Sequence, residues 1–407
     1  MFIINSYWYK NIFEPTLSLS ETINFYENVS YSTEFGSLKD AVISFYENVE
    51  LSASSPPEYQ GFGTEQDPYL IYTAEQFAAI PDKSPSWYRV MDNLDFTGIY
   101  YIPKNFYGYI DGQNYVLSNI DISNWHSLGA STRYASLFGY VTGSTGRGVI
   151  RNLILENCNY WVSGSATNAA YFGGIVGRGE GGTQIYNCHI RSSSFRSTGN
   201  SYQEFFGGIV GYMAGSAIQS CSVVNSVFSC SKATGTNGDY AGIIVGQVNA
   251  AFDIYKTFVQ SCSIDHRRSN FTSIVGAGFK GGNSTRYIYD CYMKDVLVTG
   301  NAVTGSIPAT GMHVNGNYVI RCYAVVTASM STNQTFLPIS DIGTGTSSFY
   351  NVEVMGYVSG SGGPKTTTEM LNQDTYTFSS SWDFTNVWIT GSLNGGYPYL
   401  RDNPPPY

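Results

Sequence analysis

Apolar and polar positions alternate in short bursts along most of this chain, and the bursts repeat. Around position 188 the sequence reads Ile185-Tyr186-Asn187-Cys188-His189-Ile190, and relatives of this segment are centred on Cys221, Cys262, Cys291 and Cys322. Three more carry an aliphatic residue in the cysteine place, at Ile120, Leu153 and Val352. The eight copies lie 33, 35, 33, 41, 29, 31 and 30 residues apart, a period that belongs to stacked repeat architectures. In an unbroken strand Ile185 and Cys188 would point to opposite faces, because side chains alternate with period two. Both places are apolar in nearly every copy, so both are expected inside. A bend between them resolves the conflict. The residue before the column residue is Asn119, Asn152, Asn187, Ser220, Ser261, Asp290, Arg321 or Asn351, and Asn and Asp tolerate the left-handed backbone such a bend needs. Each copy therefore reads as two short strands meeting at a polar corner, with variable loops taking up the uneven spacing.

A second repeat precedes the first. It reads Phe172-Gly-Gly-Ile-Val-Gly177, Phe206-Gly-Gly-Ile-Val-Gly211, Ala241-Gly-Ile-Ile-Val-Gly246 and Phe271-Thr-Ser-Ile-Val-Gly276, with a worn copy at Ser136-Leu-Phe-Gly-Tyr-Val141. An aliphatic pair between glycines suits a third strand between tight turns. Units that cannot bury their apolar side alone stack on their neighbours. The expected fold is all-β, a right-handed parallel β-helix, since parallel crossovers take that hand. Its interior is expected to hold one column: Ile120, Leu153, Cys188, Cys221, Cys262, Cys291, Cys322 and Val352. The chain has seven cysteines, so at least one is unpaired. Five in one column read as packing thiols, with Cys158 and Cys230 outside it.

Four segments follow. Residues 1–58 contain two similar stretches, at 20–29 and 40–49, read as paired strands that anchor or oligomerise the protein; Ser54-Ser55-Pro56-Pro57 reads as a linker. Residues 59–116 read as an N-terminal cap and first coils, with a short helix from Ala74 to about Ile80 capped by Thr73 and Gln76. Residues 117–358 are the repeats. Residues 359–407 form a C-terminal cap and tail, with a second short helix beginning near Thr368 and aromatic residues Trp382, Phe384, Trp388, Tyr397 and Tyr399.

The opening GTEQDPYLIYTAEQF, then FYGYIDGQNYVLSNIDI, the glycine and cysteine copies and the ending WDFTNVW…NGGYPYLR together resemble the GLUG-repeat β-helix proteins, over about residues 61 to 401. Such proteins are known as bacterial surface adhesins and as modules attached to other domains, peptidases among them. No HExxH motif occurs in this chain. Two late copies, Ser306-Ile-Pro-Ala-Thr-Gly311 and Phe336-Leu-Pro-Ile-Ser340, depart from the glycine pattern. The N-terminal stretches are similar to short repeats in phage tail proteins.

Composition narrows the function. Only 13% of residues are charged, the net charge is −9, and there are 44 Gly, 34 Tyr and 23 Phe. Such a surface argues against a nucleic-acid partner and favours a glycan or protein receptor. Four histidines without ligand-like pairing point to no metal and no cofactor. The start MFIINSYWYK lacks a basic region and a long apolar run, so neither a signal peptide nor a membrane span is read, and an extracellular or virion surface is expected. Parity places Tyr289, Tyr292, Tyr323 and Tyr350 outward as an aromatic binding patch. Asp121, Asp290, Asp295 and Glu353 are the strand-borne acids, and no pair of them stands at a clear glycosidase spacing. No catalytic residue is assigned. The chain thus reads as a non-enzymatic adhesive fibre, a homo-oligomer or a virion component such as a tail fibre for host attachment. A polysaccharide depolymerase tailspike and a self-assembling surface filament are the alternatives.

Overall fold

The computed structural model describes residues 58–406, apart from 124–125, 128–131, 144–147, 164–168, 199–202, 232–239, 250–251, 268–277, 280–285, 301–309, 315–317, 331–335, 342–346, 359–361 and 378–381. The chain divides into two units, Met1–Ser55 and Pro56–Tyr407. The stretches at 20–29 and 40–49, and the glycine copy at 271–276, lie outside the described residues.

Parallel strands stack as a β-solenoid. One coil shows the plan: Gln184–Tyr186, His189–Arg191, Ser194–Ser197, Gln203–Gly207 and Val210–Met213 form five short strands, here called faces one to five. Each pairs in parallel with its counterpart one coil later, as in Ile185↔Ile218 on face one and Ile190↔Val223 on face two. Face one is a ladder of nine strands running from Tyr69–Ile71 to Tyr318–Ile320. Three strands per unit were expected and five are found. The glycine motif is not a strand between turns. It is divided, Phe172 and Gly173 ending face four and Val176 and Gly177 opening face five.

The polar corners take the left-handed conformation that parity demanded. Asn119, Asn152, Asn187, Ser220, Ser261, Asp290 and Arg321 all have φ between 49° and 60°. Asn351 does not: at φ −81° it caps the short helix Val352–Met355 by accepting from Glu353 N and Val354 N. Val352 therefore starts a helix and leaves the column.

The single column resolves into two. The registers Tyr186↔Gln219, Gln219↔Tyr255 and Tyr255↔Tyr289 align Leu153, Cys188, Cys221, Thr257, Cys291 and Cys322 after face one. A second column after face two holds Ile120, Cys158, Ser193, Ser226, Cys262 and Val296. Ile120 and Cys262 belong to the second, and Cys158 joins them. The odd spacings of 41 and 29 arise because a count from Cys221 to Cys262 to Cys291 crosses between columns. Within the first column the steps are 35, 33, 36, 34 and 31.

Hydrogen bonding explains why Cys, Ser and Thr share these places. The carbonyl two residues before a column place already accepts a corner N–H from the previous coil, as Tyr186 O does from Asn152 N at 3.2 Å and Gln219 O from Asn187 N at 2.9 Å, and its second lone pair is open to a side-chain donor. Cys188 Sγ donates to Tyr186 O at 3.4 Å and Cys221 Sγ to Gln219 O at 3.2 Å; Ser193, Ser226 and Thr257 make the same bond with hydroxyls at 2.9, 2.9 and 3.1 Å. The hydroxyls also accept across coils, from Cys158 N, Ser193 N and Cys221 N at 3.0, 3.2 and 3.2 Å. Where Cys, Ser or Thr fills a column place it is a small side chain with a donor, whereas Leu153, Ile120 and Val296 fill theirs by packing alone; the thiols are donors as well as packing groups. All seven cysteines are buried, and none is in a disulfide.

A short helix follows the first strand of face one, and another follows the last strand of face two. The helix Ala74–Ala78 carries the expected capping box, Thr73 with Gln76, and seats Phe77 in the core. A second capping box, Thr366 with Glu369, opens the helix Thr367–Met370. The two departures from the glycine pattern still stack, since Thr310–Val314 pairs in parallel with Leu337–Asp341.

Candidate functional site

The four tyrosines expected to form one outward patch separate. Tyr292 and Tyr323 do leave the interior, standing on the outer side of face two. There they continue a stack from Phe258, with ring centroids 4.6 and 5.1 Å apart and planes within 5°. Both are fully buried, because the C-terminal segment folds back over them. Trp388 lies 6.3 Å from Tyr292 and 6.2 Å from Tyr323. The Tyr323 hydroxyl donates to Pro398 O at 2.6 Å and accepts from Asn394 Nδ2 at 2.7 Å. Tyr350 is aligned with Ala324, is buried, and packs into the core of the solenoid. Tyr289 alone stays at the surface, round the Asp290 corner on face one.

Face one gives Tyr289 different neighbours. Its last three strands are Phe252–Tyr255, Arg286–Tyr289 and Tyr318–Ile320. Ile254, Ile288 and Val319 point into the core, so period two turns Asp253, Tyr255, Tyr287, Tyr289 and Tyr318 outward. Tyr255 stacks on Tyr289 at 5.1 Å and 5°, and Tyr287 on Tyr318 at 5.7 Å and 13°. Tyr318 is 38% exposed and the others are half-buried. Partial burial holds the Asp253 carboxyl above its usual range, although a backbone bond at Tyr287 opposes this. Burial, then the Asp253 charge, pushes the Tyr289 phenol up to about 12, so it remains a donor at neutral pH. Arg321 closes one edge, its guanidinium 6.0 Å from the Tyr289 ring and bonded twice to Asp290 at 2.7 Å. Asp290 Oδ1 also accepts from the Trp388 indole at 3.2 Å, joining the open array to the cap.

The opposite end of face one is aromatic too. Trp87 stacks on Tyr109 at 4.0 Å, and Arg151 lies over Tyr109 at 4.8 Å while paired to Asp111 at 2.7 Å. Hydrogen bonds from Asn152, Gln113 and Arg151, together with the Arg151 charge, outweigh burial and hold Asp111 below the usual carboxylate range. Gln184, Ala217 and Gln219 lie between the two ends. This face offers flat rings with carboxylates beside them: rings for the C–H face of a saccharide, and oxygens for its hydroxyls.

Sequence parity found Tyr289 but missed Tyr255, Tyr287 and Tyr318. For Tyr255 the missing signal was the Thr257 copy, which carries a hydroxyl in the column place and so escaped a search for apolar residues; Tyr287 and Tyr318 stand four places before Cys291 and Cys322, one outward step beyond the places the parity count named. Of the acids, Asp290 is held by Arg321 and Trp388, Asp295 pairs with Lys294, and Glu353 accepts from Thr367 N at 2.9 Å. Asp121 is exposed on the strand Asp121–Ile122. Among the described residues no group of three or more His, Cys, Asp or Glu could hold a metal ion, and no helix is long and apolar enough to cross a membrane.

No family model and no curated protein matches the chain. A solved structure does: one described as a "putative immunoglobulin A1 protease" from Bacteroides ovatus, with a TM-score of 0.53 and 22% identity. The match covers 84% of this chain and 94% of that one. At that identity the likeness is one of fold.

Proposed function

We propose that the chain is a non-enzymatic attachment protein whose solenoid holds a surface saccharide against face one. The observation that carries this reading is the pair of stacked tyrosines, Tyr255 with Tyr289 and Tyr287 with Tyr318, left open beside Asp253 on a rigid ladder. A rigid scaffold spares the entropy of ordering a site on binding. The motif order shared with GLUG-repeat adhesins supports a cell-surface or virion setting, with residues 1–58 joining the protein to copies of itself or to a larger assembly. The fold shared with the Bacteroides ovatus protein brings its described activity into consideration. Binding is favoured over hydrolysis because Asp290, Asp295 and Glu353 are each engaged in structural contacts.

The test is retention of the full chain on an array of bacterial and host glycans. Wild type is expected to bind a defined subset, and Tyr287→Ala with Tyr318→Ala to lose at least tenfold with the fold intact by circular dichroism. A wild-type protein retained by no glycan, or a double variant that binds as well as wild type, overturns the reading. Removal of residues 1–58 is expected to leave a folded monomer, and an oligomer of unchanged size after that deletion overturns the assembly role.

A further inference from the structure

A second aromatic strip runs along the solenoid between faces four and five, and nothing in the face-one reading uses it. Tyr134, Tyr171, Phe205 and Tyr240 stand on the outer side of face four in four successive coils. Their rings stack at 5.5, 5.0 and 5.7 Å. On the outer side of face five, Tyr140, Arg178 and Tyr212 occupy aligned positions. Outer faces of neighbouring strands normally diverge, but these two meet: Tyr212 contacts Phe205 at 5.1 Å and Tyr171 at 5.9 Å. The coil is therefore folded inward between them, and the glycine motif is what permits it. A Cβ on Gly173 would lie 1.9 Å from Val176 O, and one on Gly177 would lie 2.9 Å from the Tyr134 ring.

The walls of this concave strip carry a polar centre. Arg178 lies over the rings of Tyr140, Tyr171 and Tyr212, at 5.7, 5.3 and 5.6 Å. Its Nε and Nη2 donate to Glu180 Oε1 at 2.9 and 2.5 Å, while the Tyr140 hydroxyl donates to Glu180 Oε2 at 3.1 Å. Tyr107 extends the row past Tyr140, edge to face at 6.1 Å. Asn249 closes the other end, bonding the Tyr212 hydroxyl at 3.0 Å. The floor rings are buried, while Tyr107, Tyr140, Arg178, Glu180 and Tyr212 remain partly open.

We infer that this strip is a second binding site, for an uncharged linear oligosaccharide lying along the solenoid axis. Tyr140 and Tyr212 supply flat apolar faces one coil to either side of Arg178. The ion pair between them presents guanidinium donors and carboxylate acceptors together, a match for neighbouring hydroxyls on one sugar ring. Because Glu180 already neutralises Arg178, a carboxylated sugar would bring a second anion against Glu180, and the strip disfavours it. The row repeats once per coil, about 4.8 Å, so a sugar chain lying along the axis meets Tyr140, Arg178 and Tyr212 in turn.

Calorimetric titration of the full chain with maltohexaose, cellohexaose, laminarihexaose and mannohexaose tests this, with oligogalacturonate as the charged control. At least one neutral hexasaccharide is expected to bind, and oligogalacturonate at least tenfold more weakly. Tyr140→Ala with Tyr212→Ala should lower the neutral affinity at least tenfold, while Tyr287→Ala with Tyr318→Ala on face one should leave it unchanged. Glu180→Gln keeps the shape and removes the acceptor charge; it should weaken the neutral sugar and relieve the bias against the charged one. Absence of binding by all four neutral sugars, tighter binding of oligogalacturonate, or indifference to both strip variants overturns the proposal. Loss through the face-one variant alone would assign the binding to face one and equally overturn it.

Discussion

Two tyrosine stacks stand one corner apart on the same coils and meet opposite fates. Tyr255 and Tyr289 on face one remain open to solvent. Phe258, Tyr292 and Tyr323 on face two lie under Trp388, Trp382, Tyr376 and Tyr397. Both stacks follow from the same local rule, that outward places alternate with inward ones and align between coils. What separates them is a segment arriving 53 to 139 residues later in the chain. Parity decides the side of a strand on which a ring stands. It does not decide what else reaches that side.

The comparison breaks most sharply at Trp388, which is fully buried against the two tyrosines of face two. Trp388→Ala is expected to cost about 4 kcal/mol, as large-to-small changes at buried aromatic sites do. Tyr318→Ala on the open face should cost less than about 1 kcal/mol, in keeping with a partly exposed surface position. Urea denaturation of both variants measures the contrast, and equal losses would mean that the cap does not hold face two. Next comes Asp290, where the two regions are tied. Asp290→Asn keeps the volume but weakens two charge-assisted bonds to Arg321 and one to the Trp388 indole. A loss of about 2 kcal/mol is expected, with a shift in tryptophan emission as the indole's acceptor loses its charge. An unchanged spectrum and midpoint would separate the array from the cap.

Much of the architecture was legible because solenoid repeats state their geometry locally. A three-residue offset between Ile185 and Cys188 required a corner, and Asn, Ser and Asp before the column supplied one. The N-terminal helix could be read from Thr73 and Gln76 alone. Three things stayed hidden. The second column went unseen because Ser193 and Ser226 fill two of its places with hydroxyls, as Thr257 fills one of the first, and an apolar template passes over them. The inward fold at the glycine motif needed the knowledge that Tyr171 and Tyr212 touch across it. The burial of Tyr292 depended on Trp388, 96 positions away. Tyr350 was misplaced for a local reason: Asn351 caps a helix, so the corner on which its parity rested is not there.

A third contrast lies within face two itself. His189 stands in the outward row of Tyr292 and Tyr323, through Ser222 and Phe258, at the end where the row carries no aromatic cap. Its Nδ1 is 2.8 Å from Ser222 Oγ and its Nε2 3.2 Å from Asn187 Oδ1. Burial, then the charge of Arg191, holds its pKa down to about 4, from 6.5. The unfolded chain therefore takes up a proton as pH falls below 6.5, while the folded chain does not until about 4. The stability this gives is complete above 6.5 and is lost as pH falls through that window, by about 2 kcal/mol. Denaturation at pH 7 and pH 4.5 should show that loss in wild type, reduced by about as much in His189→Gln. An identical pH dependence in the two proteins would place the histidine ring in water.

The smallest effects come from exchanging residues within a column, and they test whether the interior asks for apolarity or for a donor. Thr257 donates to Tyr255 O and accepts from Cys221 N. Thr257→Val preserves shape but leaves both backbone groups without that partner, and about 1.5 kcal/mol should be lost. Thr257→Cys restores a donor of the kind that Cys188, Cys221, Cys291 and Cys322 already present to the carbonyl two residues back. It gives up mainly the stronger hydroxyl acceptor, so the loss should fall to about 0.5 kcal/mol. If valine proves the better tolerated of the two, the columns are governed by packing alone, and the shared use of Cys, Ser and Thr at the corners needs another cause. If cysteine is better tolerated, the same hydrogen-bond rule holds wherever Cys, Ser or Thr follows a corner, beneath the open stack and the covered one alike, and the difference between those stacks rests on the cap.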